Sequence, residues 1–140
     1  MRTAPPPPPL SVLVVDDNRD AANTLAVYLR YAGQRVRTAY SAADAGRVLA
    51  AGFRPDAVLV DVALPGTTGY DVAREVCAAL GRRPLLVAVT GHQGMEQRSA
   101  SERFDHHFLK PVNPEHLLAA LDIYAARLPD PPAPPDPPES

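Results

Sequence analysis

The 140-residue chain has no tryptophan and a single cysteine, Cys77. One cysteine excludes an intrachain disulfide, and a reducing compartment, the cytoplasm, is the simple reading. Long apolar runs are missing too; none approaches the roughly 20 residues that a membrane-spanning helix needs. Arg2 is followed by prolines rather than an apolar segment, so neither a signal peptide nor a membrane association is expected. Positive charge is not in excess. At a formal net charge of −2 the chain has no basic stripe to displace counterions from a phosphate backbone, and direct nucleic-acid binding is not expected.

Proline is plentiful and unevenly placed. Of 17 prolines, five are Pro5 to Pro9 and seven fall between Pro129 and Pro138. The segments 1–9 and 129–140 carry too little apolar surface to offset ordering entropy and are expected to be Pro-rich disordered tails. Residues 10–128 are then the single folded domain.

Within that stretch the hydrophobic pattern alternates between two periods. Leu10–Asp16 is a β-branched apolar run stopped by acids, which predicts a buried strand. From Asn18 the spacing turns helical, with Ala21, Leu25, Tyr28, Leu29 and Ala32 on one face and Gly33 at the end. Gln34–Tyr40 predicts an edge or half-buried strand, and Ser41 an N-cap for a helix that buries Ala45, Val48 and Leu49 before Gly52. Asp56–Val62 predicts a second buried strand, interrupted by Asp61. A turn over Leu64–Gly69 leads to a helix with Val72, Val76, Ala79 and Leu80 inward. Pro84–Thr90 predicts a third buried strand, Gln93–Arg103 a weak helix, His106–Lys110 a short strand, and Pro114–Leu128 an amphipathic helix. Five alternations of this kind predict a doubly wound α/β domain with a five-stranded parallel sheet.

In such a sheet the C-terminal ends of all strands share one edge, where ligands bind. Asp16 and Asp17 end the first strand, Asp61 lies near the end of the third, Thr90 ends the fourth and Lys110 the fifth. Three clustered carboxylates repel unless a cation joins them, and hard oxygen ligands select Mg²⁺, with Mn²⁺ a second choice. A carboxylate beside such a metal is a nucleophile toward phosphorus. Lys110 and the metal then spread charge on the transferring group while Thr90 donates to one of its oxygens, so the pattern points to phosphoryl transfer onto Asp61. Taken singly, each residue has another reading: Asp16 or Asp17 as a helix cap, Thr90 as a turn residue, Lys110 as a solvated charge. Asp61 differs, because an unpaired carboxylate inside an apolar strand is costly.

Val14-Val15-Asp16-Asp17-Asn18, Val60-Asp61-Val62-Ala63-Leu64-Pro65-Gly66, Thr90-Gly91 and Phe108-Leu109-Lys110-Pro111 together resemble the signature set of the receiver domain of bacterial two-component response regulators. The resemblance runs from about Leu10 to Leu128 and implies a flavodoxin-like (βα)5 fold of the chemotaxis-regulator kind. It implies Asp61 as phosphoacceptor for a histidine kinase or phosphotransfer protein. Mg²⁺ would be held by Asp17, Asp61 and the carbonyl of Ala63, with Asp16 acting mainly through water. The N–H groups of Ala63 and Gly91 would hold phosphoryl oxygens, beside Thr90 and Lys110. Lys110-Pro111 would be a cis peptide. Thr90 and His107 would be the switch pair, with His107 where many regulators carry Tyr or Phe. Arg103 stands where a helix-ending glycine is usual, and Ala63 and His92 flank the approach of water. Zinc at His92, His106, His107 and His116 is not expected, since adjacent strand residues point to opposite faces. Cys77 reads as a packed side chain.

The expectation is a single-domain response regulator, not an enzyme with turnover, monomeric or weakly dimeric. Its output would be contact with an unnamed downstream protein or phosphorelay. The alternatives are an adaptor that never accepts phosphate, or the detached receiver of a hybrid histidine kinase.

Overall fold

A computed structural model of the chain describes residues 8–64, 66–91 and 104–128. The expected helix at Gln93–Arg103, with His92 and Arg103, and most of the two Pro-rich segments lie outside the described residues. The elements run β1 (Ser11–Val15), α1 (Arg19–Tyr31), β2 (Arg35–Ala39), α2 (Ala42–Ala50), β3 (Ala57–Asp61), β4 (Ala63–Leu64), β5 (Thr67–Thr68), α3 (Gly69–Leu80), β6 (Leu85–Thr90), β7 (His106–Leu109) and α4 (Pro114–Arg127).

Five strands form one parallel sheet in the order β2-β1-β3-β6-β7. The central strands β1, β3 and β6 are apolar on both faces because helices cover both. On one face Leu13, Val58, Val60 and Leu86 pack beneath α2 and α3. On the other, Val12, Leu59 and Val87 pack beneath α1 and α4, with Leu29, Leu117 and Leu121 filling the layer. The doubly wound five-stranded α/β reading holds.

Local signals account for the helix limits. Asn18 caps α1, its side chain accepting from Ala21 N, so neither Asp16 nor Asp17 is spent on capping. Ser41, Thr68 and Asn113 cap α2, α3 and α4 in the same way. Gly33 and Gly52, with φ of +99° and +101°, let the chain leave α1 and α2 through a backbone region closed to bulkier residues.

Three sequence-based expectations are corrected. The buried stripe of α1 is Ala22, Ala26 and Leu29, with Leu25 and Tyr28 half-buried and Ala32 exposed; the layer admits only alanine where the helix lies closest to the sheet. In α3, Ala73 is buried and Ala79 is exposed. Leu64–Gly69 is not a plain turn: β4 and β5 pair antiparallel as a two-residue ladder, and Gly69 is already helical.

Candidate functional site

The strand order reverses between β1 and β3, since the chain winds one way to β2 and the other way to β6 and β7. A crevice opens at that point on the C-terminal edge. Asp61 is the last residue of β3 and Asp16 directly follows β1; both side chains are more than nine-tenths buried. Asp17 beside them is exposed. One carboxylate oxygen from each of Asp16, Asp17 and Asp61 lies within 4.8 Å of the other two. That span suits three ligands on one octahedral cation with bonds of about 2.1 Å, so the donor set fits Mg²⁺.

Lys110 reaches in from the end of β7. Its Nζ lies 2.8 Å from Asp16 Oδ2 and 2.9 Å from Asp61 Oδ2. The ammonium donates to both acids at once, and their mutual repulsion is thereby countered. The second oxygen of each acid is held by the backbone: Asn18 N donates to Asp16 Oδ1 and Ala63 N to Asp61 Oδ1, each at 2.9 Å. Each bond closes a short loop from a carboxylate to the amide two residues on.

Burial pushes the Asp61 carboxyl above the ordinary aspartate value, and the negative charge of Asp16 adds to the push. The bonds from Lys110 and Ala63 act the other way without cancelling it. Burial pulls Lys110 down, but its contacts with Asp16 and Asp61 together outweigh that and hold its ammonium above the ordinary lysine range. Among the described residues the site is therefore a buried acid pair bridged by the Lys110 ammonium, with negative charge left over for a further cation.

Thr90 closes β6 and is buried at the same edge, where its carbonyl accepts from Lys110 N at 2.7 Å. Gly91 follows it and is exposed. Lys110-Pro111 is cis. Beside the acids a cavity of about 670 Å³ lies between α1 and the segment after β7, floored by Val14, Leu59 and Val89 and walled by Leu25, Tyr28 and Pro111. His107 stands apart, exposed on β7 with its ring edge-on to Phe104 at 5.9 Å. His106 and His116 are exposed as well. Among the described residues the three aspartates are the sole group of metal-ligating side chains brought together.

The structure thus gathers Asp16, Asp17, Asp61, Ala63, Thr90 and Lys110 at one edge, whereas His107 lies farther back on β7, in register with Ala88 and exposed. Two residues with a part in shaping the site were not foreseen. Asn18 orients Asp16 through its backbone, a role no side-chain pattern reveals. Gly69 packs against the carbonyl of Asp61.

Comparison with known proteins agrees with this geometry. The family model of the response regulator receiver domain matches residues 12–122. The chain belongs to that family. Virulence sensor protein BvgS of Bordetella pertussis is 37% identical over 138 residues, covering 89% of this chain and 11% of that protein. Response regulator MprA of Mycobacterium sp. strain KMS is 33% identical over 115 residues, covering 81% of this chain and 49% of that protein. The chain therefore spans half or less of the length of these relatives. Among solved structures, a Burkholderia pseudomallei response regulator with a phosphorylated aspartic acid, calcium ion and citrate superposes with a TM-score of 0.70. It is 29% identical and covers 83% of this chain and 68% of that one. As a receiver domain the chain is a signalling module. No helix among its described residues is long and apolar enough to cross a membrane.

Proposed function

We propose that this receiver domain takes a phosphoryl group onto Asp61 from a phosphohistidine of a histidine kinase or phosphotransfer protein. It then signals by contact with another protein or by passing the group on. The observation that carries the reading is the buried Asp61 carboxylate with Lys110 Nζ at 2.9 Å and the oxygens of Asp16 and Asp17 close by.

Asp61 supplies the nucleophile. One carboxylate oxygen forms a bond to phosphorus as the phosphorus–nitrogen bond to the donor imidazole breaks, and the imidazole keeps the electron pair. Lys110 is positioned to move from its two carboxylate contacts to an oxygen of the incoming group, where negative charge accumulates. The Ala63 and Gly91 amides and the Thr90 hydroxyl are further donors at this edge among the described residues. Asp16, Asp17, Asp61 and the Ala63 carbonyl would hold Mg²⁺, or Mn²⁺ in its place. The bound ion supplies charge neutralisation between carboxylates and phosphoryl oxygens. Thr90 and His107 are the proposed readout, by a population shift in the β7 surface. The phosphorylated aspartic acid in the B. pseudomallei structure supports the assignment. So does the presence at one edge of every side chain the chemistry needs; an adaptor that never accepts phosphate has no use for the full set.

The test is incubation with acetyl phosphate and Mg²⁺ followed by intact mass. A gain of one phosphoryl group in the wild type, lost without Mg²⁺, supports the proposal. An unmodified protein that also fails to bind Mg²⁺ favours the adaptor.

A further inference from the structure

Gly69 opens α3 where the helix lies directly on the end of β3. Its φ is not positive, unlike that of Gly33, Gly52, Gly66 and Gly81, so backbone freedom is not what the position requires. Space is. A Cβ at residue 69 would lie 2.8 Å from the carbonyl oxygen of Asp61, 2.9 Å from Val62 Cα and 3.0 Å from Val60 Cγ1. Two of those three atoms are backbone, and they cannot swing aside as a side-chain tip does. At Gly33, Gly46, Gly52, Gly66, Gly81 and Gly91 the same Cβ would meet nothing within 4 Å.

The atoms crowded at Gly69 are those that aim the Asp61 carboxylate. Val62 N donates to Val89 O and Gly69 N donates to Val62 O, both at 3.0 Å, so the peptide after Asp61 is pinned between β6 and α3. The next residue, Ala63, supplies the amide that holds Asp61 Oδ1. Pushing α3 off β3 shifts this pinned segment, and with it the carboxylate.

We propose that Gly69 is a positioning residue for the phosphoacceptor: its missing side chain lets α3 clamp the Asp61–Ala63 backbone and aim the carboxylate. This rests on the proposed phosphorylation of Asp61. The step affected is unchanged in its balance, with the Asp61 oxygen bonding to phosphorus as the donor's bond to phosphorus breaks. Only the placement of the attacking atom alters. Relieving a 2.8 Å contact needs a shift of about half an ångström, and displacements approaching 1 Å at a reacting atom cost on the order of a hundredfold in rate.

The experiment compares Gly69→Ala with Val76→Ala, a core deletion on the same helix remote from the site, and with wild type. Each receives saturating acetyl phosphate and Mg²⁺, and each has its Ala63 amide proton followed by NMR without donor. The expected result is a phosphorylation rate tenfold to a hundredfold lower in Gly69→Ala, with the Ala63 amide resonance moved upfield as its bond to Asp61 lengthens. Val76→Ala, although less stable, keeps the wild-type rate and the wild-type Ala63 shift. Equal rates in Gly69→Ala and wild type overturn the proposal, as does a loss shared equally by Val76→Ala. If Gly69→Ala does not fold, Gly69→Ala/Val60→Ala removes the side-chain contact and keeps the two backbone ones. A folded, slow double variant supports the assignment. A double variant that also fails to fold overturns it, because Gly69 then serves the fold and not the site. A wild type that takes no phosphoryl group refutes the reading of Asp61 instead, and the Ala63 resonance still reports whether Gly69 aims its side chain.

Discussion

Replacing Lys110 with methionine removes the ammonium that bridges two buried acids while keeping much of the stem's packing. At an effective dielectric of about 20, each contact near 3 Å carries roughly 5 kcal/mol of gross attraction. Desolvation of the ammonium and two carboxylates takes back most of it. Breaking a buried pair typically costs about 3–5 kcal/mol, and the Lys110 side chain is 26% exposed, which favours the lower end. The expected loss is about 3 kcal/mol near neutral pH without Mg²⁺, or roughly a 10 °C fall in Tm for a domain of this size. The sign of the pH dependence follows from Asp61. Its folded-state pKa is raised, so the native state binds a proton more tightly than the unfolded chain. Without Lys110 that pKa rises further, so acidification from neutral pH favours the protonated site and narrows the deficit. Mg²⁺ replaces the missing charge and also narrows it, by an amount that grows with concentration. Thermal melts by circular dichroism, at two pH values and with and without Mg²⁺, read all of this. A variant as stable as wild type near neutral pH, or a deficit indifferent to both pH and Mg²⁺, refutes the electrostatic account of the site.

Other consequences are simpler to state. Mg²⁺ binding, followed by calorimetry because the chain has no tryptophan to report it, should weaken with falling pH above the range where a free aspartate titrates, about 4. Unchanged affinity down to that value counts against a raised Asp61. Asp61→Asn should keep the fold by circular dichroism, gain no phosphoryl group by intact mass, and bind Mg²⁺ at least tenfold more weakly. Asn113→Ala removes the acceptor for Glu115 N and His116 N at the start of α4, so chemical denaturation should show a loss of about 1 kcal/mol with no change in phosphorylation rate.

Much of this architecture is legible in the sequence because the central strands are unambiguous. Val12–Val15, Ala57–Val60 and Leu85–Val89 are apolar without interruption, a pattern that suits a sheet covered on both faces. Asp16, Asp61 and Lys110 follow from the same logic, since a parallel sheet brings strand ends together whatever their separation along the chain. Alanine-rich helices are harder. In α1 the choice between Ala21 and Ala22 as the buried residue changes little in a periodicity count, and only the closeness of helix to sheet decides it. The β4–β5 ladder is too short to leave a pattern. Gly69 reads in sequence as a turn glycine, whereas its role is steric and depends on where β3 ends. That Lys110 touches both acids rather than Asp61 alone is a matter of side-chain reach, which strand order does not determine.

The most direct test of the account is to find where the phosphoryl group resides. After reaction with acetyl phosphate and Mg²⁺, borohydride reduction converts an aspartyl phosphate to homoserine, and peptide mass mapping locates it. Homoserine is expected at position 61 and at no other aspartate. Homoserine at Asp16 or Asp17, or none anywhere in a protein shown to have bound Mg²⁺, would contradict it.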